Sequence, residues 1–100
     1  MKDFYFSNED DQKNFLLENK WLIHSLIVEG VRKSLDEGLD TIIIFRIINQ
    51  FNDFVLTTEL QKKDWEESLN KCLSYYESIE EYEMCNKIIK LLKTIKDGTS

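Results

Sequence analysis

Few side chains in this sequence could do chemistry, and they are scattered. There is one histidine, His24, and there are two cysteines, Cys72 and Cys85. A histidine acting as a base needs a nucleophile or an orienting carboxylate within hydrogen-bond reach. Glu18 and Glu29 fall off the helical face of His24, and Lys20 stands four residues before it. His24 therefore reads as an imidazole at the edge of a core, beside Trp21, Val28 and Val31; its functional alternative is a general base or a pH sensor. Cys72 and Cys85 are equidistant from a turn centred between Ser78 and Ile79, which puts them at one level of a helical hairpin. They read as small apolar seam residues. A redox pair would need their Cα atoms within about 7 Å. Two thiols and one imidazole fall short of a four-ligand zinc site.

Carboxylates are more plentiful. Glu77, Glu80, Glu81 and Glu83 cluster near the same turn, and residues 64–83 hold seven acids and one lysine. Carboxylate-bridged metal bundles use Glu-x-x-His motifs on two helices, which are absent. Acids early in the last helix, with Lys87, Lys90, Lys93 and Lys96 towards its end, complement the helix dipole. Glycine-rich phosphate loops and nucleotide fingerprints are also absent. The expectation is a protein without catalytic activity, cofactor or metal.

The elements that would position these residues read as helices. Phe4-Tyr5-Phe6 is a short aromatic stub within an arm over residues 1–7, either a lone strand or a segment laid over the core. Ser7-Asn8-Glu9-Asp10 resembles a helix cap with an acidic first turn. Trp21 to Leu35 is apolar around most of a helix, which predicts a central, buried element. Gly30 admits a close neighbour, and Gly38 ends the helix. The run Ile42-Ile43-Ile44-Phe45-Arg46-Ile47-Ile48 has β-branched strand propensity. Yet Ile44, Ile47, Ile48, Phe51 and Val55 keep helical spacing, so a helix over 41–56 is predicted. Arg46, Asn49, Gln50 and Asp53 would form its polar stripe. Thr57-Thr58 and Asp64-Trp65-Glu66-Glu67 are further caps. Residues 64–96 form an αα-hairpin, and 97–100 a frayed tail. The expected fold class is all-α: one domain over 1–100, a compact bundle of four or five helices ending in that hairpin.

Composition bounds the function. The 100 residues include no alanine, no proline and three glycines, and 42% are apolar, enough for one core. This excludes collagen-like and low-complexity chains and argues against general disorder. A net charge of −6 disfavours direct binding to nucleic acid or to an anionic membrane surface. No apolar run is long enough for a membrane span, and the N-terminus lacks the features of a signal peptide. With two cysteines, a cytoplasmic location is expected. Heavy use of Ile, Lys, Asn, Phe and Tyr suggests an AT-rich genome, such as a bacterium or its phage.

Ser78-Ile79-Glu80-Glu81-Tyr82-Glu83-Met84-Cys85-Asn86-Lys87-Ile88 resembles the UVR motif, a helical hairpin of excision-repair proteins and some protease-linked regulators. Glu81-Tyr82-Glu83 matches the motif's acidic-aromatic-acidic step. Cys85 matches a small position, and Lys87-Ile88 the basic-aliphatic pair. Asn86 and Ile89-Lys90 depart from it. The resemblance covers about a quarter of the chain and implies protein–protein docking through the hairpin.

The functional expectation is a small acidic interaction module, an adaptor or regulator that binds another protein. Its candidate surface is the 64–96 hairpin, with Trp65, Tyr75, Tyr76 and Tyr82 as anchors and Glu77, Glu80, Glu81 and Glu83 around them. A homodimer through the 42–56 segment is a variant. The alternative is an acidic, phage-type inhibitor that mimics nucleic acid and blocks a DNA- or RNA-binding protein.

Overall fold

The computed structural model describes residues 2–51 and 53–97. It overturns the all-α expectation: the chain is an α/β protein with four α-helices and a three-stranded mixed sheet. The order is β1 (Lys2–Phe6), α1 (Glu9–Glu18), α2 (Lys20–Glu37), β2 (Thr41–Asn49), β3 (Phe54–Gln61), a 3-10 turn (Lys62–Asp64), α3 (Trp65–Ser78) and α4 (Tyr82–Asp97). The expected tail at 98–100 lies outside the described residues.

The largest correction concerns 41–56, predicted as a buried helix. It forms β2, a turn and the start of β3, and Thr57 and Thr58 lie within β3 rather than capping a helix. The isoleucine run follows its β-branched propensity because two strands pair with it. β1 runs parallel on one side, with Phe4 opposite Ile47, and β3 runs antiparallel on the other, with Leu56 opposite Ile47. The aromatic stub is thus an edge strand of this sheet, neither a lone strand nor a loose arm. A bulge between Ile43 and Phe45 puts one extra residue, Ile44, into β2. Ile44 and Phe45 are consequently both buried, and the side chains change phase there.

The helices form where their signals stood. Asn8 caps α1, its Oδ1 accepting from the Asp11 N–H at 2.8 Å. The chain bends at Asn19, whose side-chain amide donates to the Phe15 carbonyl at 2.9 Å. Gly38 ends α2 with φ of 70°, the left-handed conformation open to glycine. The 64–96 hairpin is present as α3 and α4, turning through Glu80 at φ 60°.

One face of the sheet carries the core. Ile42, Ile44, Phe45 and Ile47 meet Val28 and Val31 of α2, and the cluster continues through Trp65, Leu69, Cys72 and Tyr76 of α3 to Met84, Cys85 and Ile88 of α4. Phe15 of α1 packs on Phe4 and Phe6 of β1, with ring centroids 4.7 and 5.3 Å apart. Gly30 allows close approach of the sheet rather than of a helix: a Cβ there would stand 2.9 Å from Ile42 Cδ1. Only Val28, Val31 and Ser34 of α2 are fully buried, so this helix is sandwiched rather than enclosed.

Candidate interaction site

The residues able to do chemistry do not converge. His24 Nδ1 lies 2.7 Å from the Lys20 carbonyl. A carbonyl only accepts, so that nitrogen carries the hydrogen of the contact. The ring stacks on Tyr75, with centroids 4.3 Å apart and planes 11° from parallel. Cys72 approaches the backbone of His24, not its ring: the thiol donates to the His24 carbonyl with sulfur 3.8 Å from oxygen. Burial pushes the Cys72 thiol up to about 11 and raises Cys85 too. Both stay protonated near neutrality, the opposite of a nucleophilic or redox-sensing cysteine. Among the described residues, no group of three or more His, Cys, Asp and Glu is placed to hold a metal ion, and no helix is long and apolar enough to cross a membrane.

The expected hairpin anchors separate into two groups. Trp65 and Tyr76 are fully buried. The Trp65 indole N–H donates to the Leu60 carbonyl at 3.4 Å. Tyr76 Oη donates to the Trp21 carbonyl at 2.8 Å, and burial raises its phenol well above the ordinary range. Trp21, Tyr76, Tyr75 and His24 form an aromatic seam that joins α2 to α3. Three of the four anchors therefore hold the fold together. Tyr82 alone projects, at 62% exposure, with Ile79 and the exposed Glu77, Glu80, Glu81 and Glu83 around the hairpin turn. The segment resembling the UVR motif forms that turn and the first half of α4.

The sheet offers a second surface, invisible while 41–56 read as a helix. The face turned away from the core carries Asp3 and Tyr5 of β1, Ile43, Arg46 and Ile48 of β2, and Val55, Thr57 and Glu59 of β3, placed together by strand register. None of these residues is buried. Tyr5, Ile43 and Val55 are 60%, 44% and 51% exposed. At the centre Asp3 and Arg46 pair through two hydrogen bonds of 2.8 and 2.7 Å. The polar stripe expected on a helix is dispersed by the strand. Arg46 is on the open face, Asn49 is buried on the other, and Gln50 and Asp53 flank the turn.

No protein-family model, curated protein or solved structure matches this chain.

Proposed function

We propose that this chain is a non-catalytic protein-interaction module, an adaptor or regulator, that docks through the open face of its sheet. The observation that carries this reading is the set Tyr5, Ile43, Ile48 and Val55, apolar side chains left uncovered on one face of a three-stranded sheet. Clustered apolar exposure of this kind marks interaction surfaces. The accessible surface supports it: 6699 Å², against about 6,000 Å² for a folded monomer of this mass. The surplus is close to the ~800 Å² that each partner contributes to a standard interface.

Charge selects the partner. The chain carries −6, but on this face Asp3 and Arg46 neutralise each other and Glu59 is the one charge left over. The face suits a second copy of the chain, which the acidic remainder of the surface would repel. Sedimentation velocity over a concentration series tests this. Wild-type protein is expected to dimerise while Val55→Glu stays monomeric. If both stay monomeric, the immobilised chain is exposed to cell lysate at low and high salt. A protein retained at both salts by wild type, and lost with Val55→Glu, supports docking of a different protein on the same face. Absence of any difference between wild type and Val55→Glu in both experiments overturns the reading.

The acidic-inhibitor reading is favoured by one observation: Glu77, Glu80, Glu81 and Glu83 are all exposed at one hairpin turn. It requires retention of a nucleic-acid-binding protein at low salt only, since surface electrostatics are screened. That retention would be lost with Glu80→Gln/Glu81→Gln and kept by Val55→Glu.

A further inference from the structure

Part of the central strand has no strand neighbour on one side. β3 pairs with β2 back to Thr41, whereas β1 reaches β2 only from Phe45 onward. Among the described residues, Thr41, Ile42 and Ile43 therefore present unpaired main-chain groups on the β1 side. A cleft of about 680 Å³ opens there between β2 and the second half of α2. Thr41, Ile42, Ile43 and Ile44 all line it. Successive strand residues point to opposite faces. Four in a row along one cleft means that it meets the edge of the strand, not a face.

The walls have a definite chemistry. Leu26 and Leu39 stand opposite Ile42 and Ile44, and Gly30 keeps the helix wall flat. Ser34 also lines the cleft, is fully buried, and its Oγ has no hydrogen-bond partner. A buried hydroxyl without a partner is unusual and costly. The rim is balanced in charge, with Arg32 and Lys33 against Glu29 and Glu37.

We infer that this cleft binds an extended, apolar peptide segment of a partner protein, laid along Thr41–Ile43 in line with β1. Strand addition of this kind takes alignment from main-chain hydrogen bonds and selectivity from alternate side chains. Inward side chains meet Leu26, Gly30 and Leu39, and outward ones lie beside the half-exposed Ile43. Both sets are thus apolar, and proline is excluded because it lacks the donor. Ser34 Oγ is available to a peptide carbonyl. A second copy fits poorly, because β1 blocks the lane at Phe45 and the eight-residue β3 of a copy would overrun its three residues.

The test is a titration of the full-length ¹⁵N-labelled chain with a blocked hexapeptide of alternating valine and threonine, followed by amide shifts. Saturable shifts are expected at Thr41–Ile44 and over the second half of α2. The same peptide with a central proline is expected to bind at least tenfold more weakly. Leu39→Asp, at a half-exposed position that tolerates charge, is expected to weaken binding tenfold or more. Ser34→Ala should weaken binding without lowering the melting temperature, which separates loss of the site from loss of the fold. Lack of saturable shifts, shifts centred elsewhere, or equal binding of the proline peptide would overturn the assignment. So would concentration-dependent exchange protection of Thr41–Ile43 without peptide, which would mean that a second copy fills the lane. The cleft and the open sheet face share only Ile43. Val55→Glu should leave peptide binding unchanged, so each surface can fail without the other.

Discussion

Asp3 and Arg46 stand directly opposite each other in the parallel β1–β2 pair and grip each other through two hydrogen bonds of 2.8 and 2.7 Å. The hydrogen bonds from the Arg46 guanidinium, more than its charge alone, hold the Asp3 carboxyl below its ordinary value of 3.8. A carboxyl whose folded value is lowered stabilises the fold above its unfolded value, and that contribution disappears as pH falls through the folded one. Asp3→Asn should therefore melt below wild type at neutral pH. The gap should narrow as the buffer is taken below about pH 4, and thermal melts across that range check it.

Tyr76→Phe keeps the ring in the aromatic seam and deletes the hydrogen bond to the Trp21 carbonyl. Loss of one buried hydrogen bond, with its acceptor stranded, costs about 1–2 kcal/mol. In a domain of this size that is a fall of roughly 4–15 °C in melting temperature. Tyr82→Phe, at the exposed hairpin turn, should leave the melt within error of wild type.

Two glycines should respond differently to alanine. Gly38 has φ of 70°, so Gly38→Ala forces a side chain into the left-handed region and should destabilise by about 1 kcal/mol. Gly30 lies inside α2, where alanine is favoured by about 1 kcal/mol. Its new Cβ meets only the far end of Ile42, at Cδ1, which can rotate away. Gly30→Ala is expected to be close to neutral in chemical denaturation.

The cysteines should be slow to react. With Cys72 pushed up to about 11 by burial, its thiolate is roughly one part in a thousand at pH 8. Alkylation of native protein should be slow at both thiols and become rapid in denaturant. The raised value also makes stability decline as pH climbs from about 9 towards 11, because the unfolded thiol ionises first. Cys72→Ala should flatten that decline.

The helices were legible in the sequence because local signals fix them: Asn8 at the start of α1, Gly38 at the end of α2, and apolar residues at 3.6-residue spacing in α3 and α4. The sheet was not. Strand β2 owes its conformation to residues some 40 positions earlier and 10 positions later, which no local window contains. The bulge then hides it further. By adding Ile44 to the strand it puts Ile44, Phe45 and Ile47 on the buried side, which breaks alternation and imitates helical spacing. The turn after β2 contains no glycine or proline, only Asn52-Asp53, and Asp53 takes the left-handed φ of 52°. The aromatic anchors misled for a related reason. Trp65 and Tyr76 were read as contact residues because helical spacing shows which face of α3 is apolar, not what covers it. The open sheet face, with Ile43, Ile48 and Val55, could only have been found by first reading the segment as strands.

The parallel pairing of β1 with β2 also sets an order of assembly. The αα-hairpin of α3 and α4 closes through contacts between neighbours in sequence, and such contacts form quickly. Asp3 and Arg46 are 43 residues apart, so the first strand made by the ribosome must wait until β2 has emerged. Closing a loop of that length carries an entropic penalty that helix formation within it only partly relieves. Docking of β1 is thus expected to be the late event in folding, and the N-terminal edge of the sheet the first part to open when the protein is stressed.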